Sequence, residues 1–281
     1  MIRATLVLTL TVTAALAAQQ PQVPPNLRDR GTGVRTSEFQ TYIQRGQLLV
    51  FPSVSYSRDH NLEYNPLDWG YGTAMDLRGT FRSSNAQLWA AYGVTDWLAI
   101  EVEGSYLSAR FQRSPQDTSA TPAQIQNSGF GDYAAQVRVR MGQERGHRPE
   151  IWGALEVIPG ANRRKILIGD KIMDMKAEFG LTRGYHFGTM TLRTTVEYNH
   201  VDHHWDLGET SLEYLRQITP ATRVFIAIEG GETGAPDEWV LVTAAQWRLT
   251  RGAFLKFSNG VGLMSKSTDW EPQVGVLLLI P

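Results

Sequence analysis

The sequence predicts an all-β fold: a closed antiparallel transmembrane β-barrel of about twelve strands, with short periplasmic turns and longer extracellular loops. Three observations predict it. From residue 47 onward, apolar and polar side chains alternate with period two, the pattern of a strand with two unlike faces. Many of the alternating stretches exceed the usual soluble strand of about 5–6 residues and reach the roughly 9–11 residues of a tilted membrane strand. The polar faces also carry charges of both signs, which would cost several kcal/mol each against lipid and so belong in a wet or paired interior.

The chain opens with an address. Arg3, an apolar run from Leu6 through Leu16 and the small residues Ala15-Leu16-Ala17-Ala18 follow the order of a secretory signal peptide, expected over residues 1–18. The run is too short and too rich in Ala and Thr for a membrane anchor. There is no cysteine, hence no lipid attachment through a thiol and no disulfide framework. Residues 19–46 begin Gln-Gln-Pro-Gln-Val-Pro-Pro and continue polar; they read as a periplasmic N-terminal extension ahead of a barrel at 47–281. Ser37 and Gln40, three residues apart, suggest a capped short helix ending before Gly46.

The strands are expected near 47–57, 81–93, 97–110, 129–141, 149–159, 171–182, 187–200, 207–217, 221–231, 238–249, 253–262 and 270–280. In the third, Leu98, Ile100, Val102, Gly104 and Tyr106 share one face, and Ala99, Glu101, Glu103 and Ser105 the other. The sixth and seventh repeat the pattern, with Met175, Phe179 and Leu181 opposite Asp174, Lys176 and Glu178, and with Leu192 and Val196 opposite Arg193 and Glu197. Short connections such as Val94-Thr95-Asp96 and Thr219-Pro220 alternate with long ones at 58–80 and 111–128. An even strand number puts both ends of the barrel on the periplasmic side. Trp239 and Trp247 lie on one face of one expected strand, about 26 Å apart, near the spacing of two aromatic girdles. The last strand ends in Ile280-Pro281 rather than in an aromatic residue.

Composition excludes some functions. A formal charge of −1 offers no basic surface for nucleic acid. His200, His203 and His204 with Asp202 and Asp206 have the residue types of a zinc or copper site, but they fall on an expected outer loop where polar residues are ordinary; no metal or cofactor is assigned. Asp59-His60 and Asp202-His203 are the sole hints of a surface hydrolase, and no serine stands at a nucleophile-like spacing; no catalytic residue is assigned.

The charged residues expected inside the ring are Glu101, Glu103, Asp132, Arg138, Arg140, Glu156, Asp174, Lys176, Glu178, Arg193 and Glu197. Two readings stay open at this point. They line a hydrated pore and set its ion preference, or they form a network that fills the modest interior of a twelve-strand barrel.

Two segments carry a family resemblance. Tyr92-Gly93-Val94-Thr95-Asp96-Trp97 and Ser128-Gly129-Phe130-Gly131-Asp132-Tyr133 resemble motifs of the MetA-pathway phenol-degradation family of outer-membrane transporter-like proteins. The resemblance covers roughly residues 47–141. It implies a barrel in the outer membrane and passage of small solutes, aromatic or apolar compounds among them, with no catalytic residues. Independently of it, Gly93 and Asp96 are expected to bracket a tight periplasmic turn, where glycine tolerates positive φ and Asp96 can bond its own backbone, and Gly129 and Gly131 to let a strand bend as it leaves a long loop. The functional expectation is therefore a passive outer-membrane channel with lipid and a small solute as its partners. The alternative is a non-conducting structural or surface-binding barrel of the envelope.

Overall fold

The structure is a computed structural model that describes residues 27–281 except 40, 68, 73–74, 161–164, 170–172, 200–202, 232–238 and 265–266. The expected signal peptide lies outside the described residues. So does the proline-containing start of the expected extension.

Twelve strands close into one antiparallel ring. They are β3 (Leu48–Tyr64), β4 (Leu77–Gly93), β5 (Leu98–Arg113), β6 (Gln124–Gly142), β7 (Glu150–Ile158), β8 (Asp174–Tyr185), β9 (Gly188–Asn199), β10 (His204–Thr219), β11 (Thr222–Gly230), β12 (Val240–Arg248), β13 (Ala253–Gly262) and β14 (Trp270–Ile280). Each pairs with its sequence neighbours, and β14 returns to β3, with Leu279 opposite Leu49 and Gln273 opposite Ser55. The ring leaves no strand edge for lipid to meet, as hydrocarbon requires. The Ile280-Pro281 ending thus does not prevent the last strand from completing the seam. At that seam Gly275 faces Phe51; a Cβ there would lie 2.5 Å from the ring and 2.6 Å from the Pro52 carbonyl.

The two faces fall as the alternation dictates. Val102, Phe179, Leu192, Leu212 and Ile226 point outward and are exposed, forming the belt that meets acyl chains. Ala99, Glu101, Arg138, Glu178 and Glu213 point inward and are buried.

Four hairpin arms run further than the alternation indicates. β3 and β4 extend over most of the expected loop at 58–80, leaving 65–76 as the connection, and β6 and β10 begin several residues early. The reason is that backbone pairing does not stop where the apolar belt does. Above the membrane both faces are wet, so residues such as Arg58 and Arg82 stay in register, opposite each other, without an apolar face. β12 is shorter than expected, so Trp239 stands just before it and only Trp247 lies within.

The largest correction concerns the expected extension at 19–46. Its described residues, 27–39 and 41–46, do not stand outside the ring, and none of those between 37 and 46 is helical. Instead β1 (Val34–Arg35) and β2 (Tyr42–Ile43) form a small hairpin, with Val34 opposite Ile43. Both of those side chains are almost completely buried, at 1% and 0% exposure, against Leu49, Phe51, Trp89, Ala91, Ala99 and Leu277 on the barrel's inner wall. Hydrophobic burial therefore holds this segment inside. Alternation could not reveal it, because its contacts are with inner-wall residues far away in sequence.

If the outward face meets hydrocarbon, Val102→Arg should cost about 2–4 kcal/mol, whereas Gln112→Arg, outward on the extracellular arm, should stay within about 0.5 kcal/mol. Urea unfolding in lipid vesicles measures both, and equal losses would contradict the assigned membrane belt.

Candidate functional site: a lumen stopped by a hairpin

The hairpin enters from the end with the short turns. Arg30, completely buried, reaches Glu144 at 2.5 Å and the Tyr42 hydroxyl at 3.3 Å, and Tyr42 donates to Glu150 at 2.8 Å. The backbone N–H of Gln217 donates to Asp29 at 2.8 Å. The chain leaves at Gly46, whose N–H donates to the Gly93 carbonyl at 2.7 Å. This explains Gly93 differently from the sequence reading. It is not among the positive-φ glycines. A Cβ there would lie 2.1 Å from the Gln44 carbonyl, so glycine is required for the hairpin's exit strand to lie against the turn.

The hairpin's tip reaches the middle of the barrel. Arg35 pairs with Glu213 at 2.6 Å and lies 4.3 Å over the Trp152 ring. The Ser37 N–H donates to Glu101 at 3.2 Å and its hydroxyl donates to the same carboxylate. The Trp89 indole N–H also donates to Glu101, at 3.1 Å. Lys256 on β13 pairs with Glu38 at 3.0 Å and sits 4.4 Å over Phe39. Phe39 itself has φ of 39°, a left-handed conformation uncommon outside glycine. It meets Phe225 edge to face at 5.3 Å, beside Leu215 and Ala227.

The residues expected inside divide into two tiers. All occupy inward positions on their strands. In the tier around the hairpin, Arg138 bridges Glu101 at 3.0 Å and Glu178 at 2.5 Å. Arg193 then joins Glu178 at 3.4 Å, Glu213 at 3.2 Å, Glu229 at 3.1 Å and Glu209. Arg140 donates to the backbone carbonyls of Gly33 and Asp96, fastening the hairpin to the β4–β5 turn. Here the filled-interior reading describes the geometry: Glu101 and Arg138 are each 2% exposed. The second tier is wetter. Glu103 is exposed within the lumen and accepts from Gln87 at 3.1 Å. Lys176 and Glu197 pair at 2.9 Å while half-buried, and Asp132, Glu156 and Asp174 are also half-buried.

Sequence reasoning missed Arg35, Phe39, Trp89, Glu209, Glu213, Glu229 and Lys256. The alternation Glu209, Ser211, Glu213 on the polar face of β10 could have signalled the surplus of acids that the hairpin's Arg35 answers.

Above the hairpin tip a cavity of about 450 Å³ opens, lined by Phe39, Val240, Val242, Ser258 and Gln273 together with Glu209, Glu229 and Glu271. Across the lumen the β7–β8 connection folds inward. Ile168 is buried, Lys165 donates to the Ser128 carbonyl at 2.6 Å and the Leu167 N–H donates to Asn127 at 3.2 Å. Gly131 permits this, since a Cβ there would lie 3.1 Å from the Ile168 carbonyl and 2.3 Å from Leu107. β6 is irregular at this point, where its register against β5 shifts between Gly104 and Tyr106. The expected bend at Gly129 and Gly131 is thus present, Gly129 having φ of 145°.

The extracellular rim has its own fastenings. Tyr64, Trp69 and Phe111 cluster with centroids 4.6–4.7 Å apart. Tyr64 donates to Asp117; burial pushes that carboxyl up, but the bonds from Tyr64 and Ser119 outweigh it and hold it below the usual range. His60 bonds Asp269 across the β3–β14 seam, through Nδ1 at 2.8 Å and its backbone N–H at 2.9 Å. His204 pairs with Asp206 at 2.9 Å, and His203 Nδ1 lies 3.4 Å from the Tyr198 hydroxyl. His200 and Asp202 lie outside the described residues, and no metal-holding group occurs among the described ones.

A closed ring with an apolar outer belt and charged inner wall defines a β-barrel of the bacterial outer membrane. Its fold is similar to that of an outer membrane channel from Pseudomonas putida F1, with a TM-score of 0.62 and 14% identity over 88% of this chain and 100% of that one. The translocator domain of the autotransporter NalP from Neisseria meningitidis is similar too, with a TM-score of 0.52 and 10% identity over 84% of this chain and 89% of that one. At these identities the likeness is one of fold, and at that level the barrel implied by the sequence resemblance is borne out. No family model and no curated protein matches the chain.

Two outcomes are expected at this site. Arg138→Met should destabilise the barrel by about 3–5 kcal/mol, because Glu101 and Glu178 stay buried without their cation; a shift in the urea midpoint measures it. At the rim, the two His60 bonds hold Asp269 below the ordinary carboxylate pKa, backbone bond first. Their contribution is therefore present above about pH 4 and is lost as pH falls through the lowered value. His60→Ala removes the imidazole bond and keeps the backbone one, so the Asp269 titration should rise only part of the way back toward the ordinary carboxylate value of about 3.9, read by carboxylate ¹³C NMR.

Proposed function

We propose that this barrel is a passive channel for small solutes, closed at rest by the hairpin at 27–46. The observation that supports it is the contrast between the two halves of the lumen. Around the hairpin, Arg30, Arg35, Glu38, Glu101, Arg138 and Glu178 are ion-paired and little exposed. Toward the outside, Glu103 is exposed, Lys176 and Glu197 are half-buried, and a cavity of about 450 Å³ ends on the hairpin's tip. A barrel built only to be filled has no use for a solvated charged vestibule. The stopper is held by its two buried apolar side chains, Val34 and Ile43, and by ion pairs and hydrogen bonds whose net contributions are individually modest. Inward charges would hydrate the path and set its ion preference once the hairpin moves. The family resemblance suggests small aromatic or apolar compounds as the solute. Nothing in this reading requires a cofactor or a catalytic residue.

The second reading is a non-conducting envelope barrel. It is favoured by the closed network Glu101–Arg138–Glu178–Arg193, which with the hairpin occupies the periplasmic half.

Single-channel recording in planar bilayers separates the two. The intact protein should show rare or small openings. Deleting residues 27–43 should give a stable, larger current, and the milder pair Arg35→Ala and Glu38→Ala should raise the opening frequency. Silence from all three, with each barrel shown to be folded by its heat-modifiable gel mobility, would favour the second reading.

A further inference from the structure

The cavity above the hairpin tip has a chemistry more specific than a general solute path. At about 450 Å³ it is the size of a site for one small organic molecule. Phe39, Val240 and Val242 give it an apolar side. Ser258 and Gln273, already bonded to each other at 3.1 Å, give it a polar one. Glu209, Glu229 and Glu271 complete the wall.

The charge balance of that wall is one-sided. Among the described residues, Arg193 is the cation beside it, and it is divided among four carboxylates: Glu178, Glu209, Glu213 and Glu229. Glu213 is also met by Arg35, and Glu178 by Arg138, so the residual negative charge collects on the cavity side. Glu271 has no charged partner among the described residues. Lys256 is nearby in sequence position on β13, but it is fully buried and pairs with Glu38 below Phe39. In a partly enclosed, low-dielectric space such an imbalance repels anions and attracts cations strongly. A hydrated metal ion would leave the apolar side unused, and a neutral arene would leave the acids unanswered.

We propose that this cavity binds a small amphipathic organic cation: an ammonium group facing Glu271 and Glu229, on an apolar or aromatic body packed against Val242 and Phe39. The inference rests on the channel reading for its physiological sense, since it names the solute class that the vestibule selects. It also gives the hairpin a ligand-sensing tip, because the body of the bound solute touches the residue that Phe225 holds in place.

Titration calorimetry on the intact protein in detergent tests it with four probes: benzylammonium, methylammonium, benzyl alcohol and benzoate. Benzylammonium should bind at least about tenfold more tightly than either methylammonium or benzoate, and its affinity should fall with added salt. Glu271→Gln, at an exposed position that leaves the fold intact, should weaken benzylammonium about fivefold and leave benzyl alcohol unchanged. Val242→Trp should weaken binding by narrowing the apolar side of the cavity. Equal binding of benzoate and benzylammonium, equal binding of methylammonium, or an unchanged affinity in Glu271→Gln would overturn the proposal. No membrane potential or current is involved. Binding without conductance would therefore sink the channel alone, and conductance without binding would sink this site alone.

Discussion

Hydrocarbon offers no partner to a backbone amide or to a charge, and the architecture follows from that single fact. Every strand must pair on both sides, so the sheet closes and β14 meets β3. Every ionised side chain within the apolar belt must turn inward, so there the polar half of each alternating strand becomes the inner wall. Once inside, those charges still need partners in a narrow space. Arg138 between Glu101 and Glu178, and Arg193 among its carboxylates, are the result.

The same constraint accounts for the hairpin. The inner wall of strands β5 to β10 carries more acids than its own arginines can answer, and the hairpin brings Arg30 and Arg35 to Glu144, Glu150 and Glu213. It also brings Val34 and Ile43 to an apolar floor made by Leu49, Phe51, Trp89 and Leu277. A barrel with those four side chains facing water would expose an internal greasy surface. The hairpin covers it, and so joins the two kinds of complementarity in one element.

The ring was legible because a strand between lipid and a wet interior must alternate. Val102 beside Glu101 and Glu103 states both environments within three residues. What was not legible has a common cause: contacts that bring together residues far apart in sequence leave no local pattern. Arg35 finds Glu213, and Glu38 finds Lys256, across most of the chain. Gly93 was recognisable as a constrained glycine, but the constraint proved to be the approach of Gln44 rather than a turn dihedral. The extended arms of β3 and β4 were hidden for the opposite reason, since strand pairing persists where solvent is the same on both faces. The charged residues expected inside stand on the inward faces of their strands, because each alternates with an apolar neighbour. Which of them are dry could be settled only by where the hairpin lies.

The seam between β3 and β14 has a consequence for biogenesis. Residues near 50 wait for residues near 278 before they acquire their second neighbour. Until then the growing sheet has two raw margins, each able to recruit a foreign strand. The hairpin is tethered to one of those margins and is enclosed as the wall curls around it. Such long-range closure is slow, so the hairpin's pocket is completed only when the first and last strands of the ring meet.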